Sequence, residues 1–292
     1  MANFKIIVDS SCDLTLEELQ RLDIDLVSLS VSFDGINYQK ELVELTKARF
    51  YEIMTTEDVF PKTTLPPIQD YIDIFKKNIE NGNTNIVCVC LSSFLSGTYQ
   101  AAIAAKEAVV DDFPDCKIVL IDSVNATAGF GLLVYELVRM RDNNLSLAEA
   151  ASILEKIKAK SKTGFSVDSL EYLYKGGRVG RVAAFAGELL NIKPVLKMDT
   201  GQLFPTSKVR GKKKAMSEII DYILKETKDH KDEFIYASIY GMEKEDALAM
   251  QRVLENEHGY TFVEEPFQVG IAIGSHTGPT ALGIACFPKY DA

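Results

Sequence analysis

The chain has no apolar run approaching the ~20 residues that a bilayer-spanning helix needs, so a helical membrane protein is not expected. Its five cysteines contain no C-x-x-C pair. None of its three histidines, His230, His258 and His276, stands near a cysteine. A zinc site or a dithiol redox centre therefore finds no support, and Cys88, Cys90 and Cys286, in apolar runs, read as small buried hydrophobes. Neither G-x-x-x-x-G-K-[ST] nor a G-x-G-x-x-G following a strand occurs, which removes the two standard nucleotide loops. No H-E-x-x-H, no carboxylate pair and no assignable Ser/His/Asp set stands out, so hydrolysis is not indicated. Met1-Ala2-Asn3-Phe4-Lys5 leads straight into Ile6-Ile7-Val8 without a long apolar segment or cleavage signature. Export by signal peptide is not expected, and a cytoplasmic location follows. A basic excess is missing too, since the net charge of −10 disfavours nonspecific binding to nucleic acid.

What remains is a globular chain of 292 residues with 47% hydrophobic and 25% charged residues, long enough for two domains. The acidity is uneven: residues 1–160 carry 15 basic against 24 acidic side chains, and the rest 17 against 18. The densest basic run, Lys208-Val209-Arg210-Gly211-Lys212-Lys213-Lys214, reads either as a solvated loop and helix start or as a docking surface for an acidic partner.

Strand-like runs at 4–9, 24–31, 86–91 and 118–122 alternate with helical patterns at 15–22, 46–55, 68–81, 97–110 and 124–142. Such alternation predicts an α/β fold with a doubly wound, largely parallel sheet, whose ligands sit beyond the carboxyl ends of the strands. Asp9-Ser10-Ser11, Ser92-Ser93 and Asp122-Ser123 each follow a strand, so three polar clusters converge on that edge. A helical stretch over 145–160 leads to Ser161-Lys162-Thr163-Gly164, where the domain boundary is placed, giving units of 1–160 and 161–292. The second unit reads as a mixed sheet, with strands at 164–167, 195–198, 202–208, 234–240, 261–267 and 281–287 and a hairpin turn at Asp199-Thr200-Gly201. Its helices are expected at 169–174, 181–190, 213–227 and 244–257.

Four segments carry candidate chemistry. Ser92-Ser93-Phe94-Leu95-Ser96-Gly97-Thr98 runs from a strand into a helix, placing hydroxyls and unpaired amides together, where they either cap their own helix or hold an anion. Lys175-Gly176-Gly177-Arg178-Val179-Gly180-Arg181 reads equally as an anion loop or as a turn between helices. Thr63 and Thr64 precede a proline-started helix, as caps or as ligand hydroxyls. His276 sits in the small-residue stretch Gly274-Ser275-His276-Thr277-Gly278-Pro279, expected to be a loop, where it can donate to a carboxylate or relay a proton.

Taken together, residues 7–14, Lys62-Thr63-Thr64, residues 91–100, 170–180, Leu190-Asn191-Ile192-Lys193-Pro194 and 273–278 resemble the DegV family of bacterial fatty-acid-binding proteins. The resemblance spans nearly the whole chain. It implies a two-domain fold holding one long-chain fatty acid such as palmitate in a tunnel between the domains, with no cofactor and no catalysis by the chain itself. It also implies a partner kinase that phosphorylates the bound acid to acyl phosphate for phospholipid synthesis, and leaves transient membrane contact open. The carboxylate ligands would be Thr63 or Thr64 with Ser93 or Ser96, set in a polar network with His276 and Arg178; Arg210, Lys212, Lys213 and Lys214 would face the kinase. The chain departs from the usual family pattern at Thr63-Thr64-Leu65-Pro66, where Thr-Ser-Gln-Pro is common, and at Gly278-Pro279-Thr280, where Gly-Pro-Gly is common. A different class, an enzyme for a small anionic metabolite with His276 as acid/base, fits the residues alone. A nucleic-acid regulator using the basic run fits less well, because no aromatics interleave it.

Overall fold

A computed structural model describes residues 3–185 and 192–292. In chain order the first part comprises β1 (Lys5–Asp9), α1 (Leu16–Arg21), β2 (Ile24–Val27), β3 (Ser30–Ser32), β4 (Gln39–Lys40), α2 (Lys47–Thr56) and β5 (Lys62–Thr64). It continues through α3 (Ile68–Glu80), β6 (Asn85–Cys90), α4 (Thr98–Val110), β7 (Lys117–Asp122), α5 (Thr127–Asp142) and α6 (Leu147–Ile157). The second part holds β8 (Lys162–Ser166), α7 (Glu171–Lys175), β9 (Ile192–Asp199), β10 (Gln202–Arg210), α8 (Lys212–Thr227) and β11 (Phe234–Tyr240). It ends with α9 (Lys244–His258), β12 (Phe267–Gln268), α10 (Ile271–Thr277) and β13 (Leu282–Pro288). None of the described helices is long and apolar enough to cross a membrane.

The first sheet is parallel, in the order β2-β1-β6-β7. Every residue of β1 is buried, as is β6 beyond Asn85, which is what covering a strand on both faces requires. The connections leave β1 and β6 in opposite directions, so a crevice opens at their carboxyl ends. Asp9 holds that crevice in shape. Its carboxylate accepts from the Ser11 amide at 3.0 Å, the Ser11 hydroxyl at 2.5 Å and, across the gap, the Leu91 amide at 2.6 Å. Asp122 does the same at β7 for the amides of Ser93, at 3.2 Å, and Val124, at 3.0 Å. The three strand-end clusters do converge, and much of their polarity fastens them to one another.

The second sheet is mixed, in the order β10-β9-β8-β13-β11-β12. Between the two sheets lies α5, buried almost all round from Ala128 to Arg141, with apolar side chains that join a core shared by β1, β6 and β13. On the far face of the mixed sheet, α8 and α9 pack over Val195, Tyr236 and Ile284 as a separate core. Cys88 and Cys90 are buried in β6 and Cys286 in β13, all as free thiols.

Four expectations from the sequence differ. The single strand over 24–31 breaks at Ser28, because the Leu29 amide bonds the Ser10 hydroxyl at 3.0 Å and the chain turns into a third, antiparallel sheet, β4-β3-β5. Of 261–267 only a bridge at Phe262 and the two-residue β12 pair. The helix expected over 181–190 begins as a short 3-10 turn, Gly180–Phe185, and its remainder, with Leu190-Asn191 of the family-like motif, lies outside the described residues. The stretch with His276 is helix α10 rather than a loop.

The expected hairpin turn is present, with Thr200 at φ +47° and Gly201 at φ +82°. Its tip reaches the other sheet: the Ser92 hydroxyl donates to the Gly201 carbonyl at 2.9 Å. A Cβ on Gly201 would stand 2.5 Å from Ser92 Oγ and 3.1 Å from the Phe94 ring. Gly201→Ala combines that overlap with left-handed backbone strain, and a loss of about 1–3 kcal/mol is expected in urea unfolding. Unchanged stability would show that the hairpin tip does not fix the two sheets together.

Candidate functional site

A cavity of about 200 Å³ lies between the carboxyl edge of the parallel sheet and the near face of the mixed sheet. Leu29 and Leu91 line it from the first sheet's side, and Phe165, Met198, Ile239 and Leu282 from the second. Thr63, Thr64, Ser96, Thr127, Arg178 and His276 give it polar groups. No acidic side chain lines it among the described residues, in a chain of net charge −10. Arg178 is its only formal cation there.

Thr63 and Thr64 sit on β5, paired with Val31 and Ser30 of β3, so they are strand residues and not caps. Helix α3 starts instead from Pro67 with no side-chain cap. Thr63 Oγ1 and His276 Nε2 are 2.8 Å apart. The other ring nitrogen, Nδ1, is buried without a hydrogen-bond partner and faces Gly176, where a Cβ would overlap it. Glycine at 176 is therefore a condition for the histidine's position. Burial, with the Arg178 guanidinium nearby as the second cause, lowers the His276 pKa to about 4. The ring is neutral at physiological pH.

Arg178 joins its own loop to the one before α4: Nε donates to the Leu95 carbonyl at 3.1 Å and one terminal nitrogen to the Gly176 carbonyl at 2.7 Å. Gly177 at φ +69° and Gly180 at φ +43° shape the turns on either side. Ser96 precedes α4, whose N-cap Gly97 offers no side chain; the Ser96 hydroxyl meets Thr98 Oγ1 at 2.7 Å and accepts from the Thr98 amide at 3.3 Å. Ser96 thus both caps and faces the cavity. Ser93 does not line this cavity. It opens on an adjoining outer cleft together with Ser96, Arg178 and Arg181. Arg210 and Lys212–Lys214 are away from both: Arg210 ends the edge strand β10, Lys212 pairs with Glu243 and Asp246, and Lys214 with Glu218 at 3.2 Å.

Helix α10, which carries His276, is fixed at its other end by a group that sequence reasoning missed. Glu41 is buried and accepts from the amides of Ile271 and Ala272 and from the Ser10 hydroxyl, the last at 2.8 Å. Asp13 lies alongside, buried, in left-handed backbone at φ +62°; the Gly270 amide and Thr127 hydroxyl face it without reaching normal hydrogen-bond geometry. Lys47 serves backbone carbonyls nearby, of Asp13 at 3.0 Å and Gln268 at 2.8 Å. Desolvation, chiefly, raises Asp13 to about 6 and Glu41 to about 7, and Asp9 close by to about 6. No sequence signal links Glu41 to a helix 230 residues on.

The model of an uncharacterised protein family, DegV, matches residues 3–289. This chain belongs to the DegV family. A DegV domain-containing protein of Clostridium acetobutylicum is 32% identical over 292 residues, covering 99% of this chain and all of that one. A stearic acid-binding protein from Eubacterium ventriosum has a crystal structure that superposes with a TM-score of 0.92 at 34% identity, over 99% of both chains. The fatty acid-binding DegV of Bacillus subtilis superposes with a TM-score of 0.85 at 27% identity, over 99% of this DegV chain and 100% of its own. The parallel and mixed sheets are those of the DegV fold.

A carboxyl raised from 3.8 to about 6 contributes stability that is complete below pH 3.8 and lost as the pH rises through 6. Asp13→Asn removes that loss, and asparagine accepts the left-handed backbone. The variant is expected to gain on the unaltered protein between pH 4 and 8, by about 3 kcal/mol at most. Denaturation at both pH values checks it, and a constant difference would show that Asp13 is ionised throughout.

Proposed function

We propose that this protein binds one long-chain fatty acid, with the tail in the apolar cavity between the sheets and the carboxylate among Thr63, His276 and Arg178, and Ser96 or Ser93 beside them. The observation that carries this reading is the cavity's lining: among the described residues it is apolar over most of its wall, with hydroxyls, a neutral imidazole and one guanidinium, and no carboxylate, at the polar side. The fatty-acid-binding relatives of the same fold support it. A sixteen-carbon tail buries about fourteen methylenes, on the order of 10 kcal/mol before entropy losses, so the tail dominates affinity and the head group sets orientation. Charge-assisted hydrogen bonds suffice for the head.

The finer reading is a non-catalytic carrier in the cytoplasm, divided at residue 160/161 with the ligand between the two units, that presents its acid to a kinase for acyl-phosphate formation. Two features support it. A histidine held near pKa 4 is a weak general base at neutral pH, which counts against turnover by the chain itself. Arg210 and Lys212–Lys214 gather four basic side chains at the end of β10 and the start of α8, which suits docking against an acidic surface. Arg210 at the sheet edge also discourages edge-to-edge pairing.

Native mass spectrometry of the protein purified without added lipid is expected to show one bound fatty acid per chain. Thr63→Val should weaken palmitate binding by about tenfold, or ~1.4 kcal/mol, with the melting temperature little changed. A lipid-free protein that also rejects added palmitate would end the carrier reading.

A further inference from the structure

Asp13 and Glu41, buried behind one wall of the cavity, do not line it. Their nearer carboxylate oxygens would lie 2.4 Å and 2.6 Å from a single Cβ placed on Gly270, so they stand within about 5 Å of each other, close enough to repel when both are charged. Glu41 is satisfied by three donors, the amides of Ile271 and Ala272 and the Ser10 hydroxyl. Neither carboxylate oxygen of Asp13 has a hydrogen-bond partner. The cation facing the pair is Lys47 of α2, whose ammonium donates to the backbone carbonyls of Asp13 and Gln268. Asp9, at the end of β1, adds only negative charge, and Cys12 and Tyr51 stay neutral because burial raises both. Two adjacent buried carboxyls, with one lysine among three acids, hold a proton more firmly than either would alone, and they titrate as a unit.

Residues that line the cavity meet the pair from the other side. Glu41 holds the amide of Ala272, Ser10 links Glu41 to the amide of Leu29, and the Thr127 hydroxyl faces Asp13. An alkyl chain filling the cavity keeps water away from that wall, and a carboxylate beside His276 adds a negative charge at the far end of α10. Both changes favour the protonated pair. Over roughly 10 Å, at an effective dielectric of ~20 and with Arg178 offsetting part of the head-group charge, a coupling of about fivefold remains. We propose that the Asp13–Glu41 pair couples ligand binding to proton uptake: the protein takes up a proton with its fatty acid and gives the acid up more readily as the pH rises. Resting on the fatty-acid reading above, this coupling adds a control that the head-group residues do not supply. Because the ligand raises the pair's pKa, the extra affinity is complete below the pKa of the free pair and lost as the pH rises through that of the complex.

The test is calorimetric titration of the full chain with hexadecanoate near pH 7 in phosphate and in Tris, whose different heats of ionisation count the protons taken up. The unaltered protein is expected to take up about 0.3–0.5 proton per ligand and to bind about threefold more tightly at pH 6.5 than at pH 8.5. Asp13→Asn, which leaves Glu41 without its charged neighbour, should still bind hexadecanoate while losing most of the uptake and most of the pH dependence. Uptake that survives Asp13→Asn would place the proton on His276 or on the ligand itself, a His276→Gln variant telling these two apart, and would overturn the coupling. Binding with no proton uptake by the unaltered protein would overturn it as well and leave fatty-acid binding intact. An unaltered protein that binds no hexadecanoate would overturn both.

Discussion

The cap that Glu41 places on α10 holds the site together. This carboxyl comes from the short strand region after β4 and seats two amides of a helix that begins at Ile271. Because α10 is only seven residues long, its hydrogen bonds alone could not fix its direction, and its far end carries His276. The third sheet, which supplies Thr63, is tied to the same helix by that cap. Thr63 and His276 meet at 2.8 Å because both ends of this arrangement are fastened. The cost is a cluster of buried carboxyls, Asp9, Asp13 and Glu41, whose charge is disfavoured.

The cavity follows from how the two sheets are held apart. Helix α5 fills the space between them over most of its length, and where it begins, at Thr127, the filling stops. Polar links then bridge the rim: Asp9 to Leu91, Ser92 to Gly201, Arg178 to Leu95. These bonds occupy backbone groups that would otherwise be exposed inside an apolar space, so most of the remaining lining is left to aliphatic side chains, methionine and phenylalanine. Several serines at the strand ends serve this fastening; Ser10, Ser11 and Ser92 donate their hydroxyls within the protein.

Local pattern made much of the fold legible. The apolar runs of β1 and β6 and the Thr200–Gly201 turn are signals written within a few residues, and the alternation of strand and helix implied a parallel sheet. Where the reading of elements missed, a distant residue decided. Ser10 turns the chain out of the first sheet at Leu29, and Glu41 makes a helix of a glycine-containing stretch that locally reads as loop. The short antiparallel sheet around Thr63 has three-residue and two-residue strands, too brief for any periodicity to show.

The sequence by itself determined the chemistry on offer: hydroxyls, one histidine and two arginines near glycines, no metal-binding pattern and no nucleotide loop, in a chain whose combined motifs resemble one family. Tertiary structure alone decided which of those groups meet. It set Thr63 against His276, made Gly176 the space for that ring, put Ser96 on both the cavity and the outer cleft and Ser93 on the cleft alone, and chose the apolar side chains that line the interior. The physical reason is that side-chain chemistry and backbone propensity are properties of a few neighbouring residues, whereas a cavity exists only where elements far apart in the chain fail to fill the space between them.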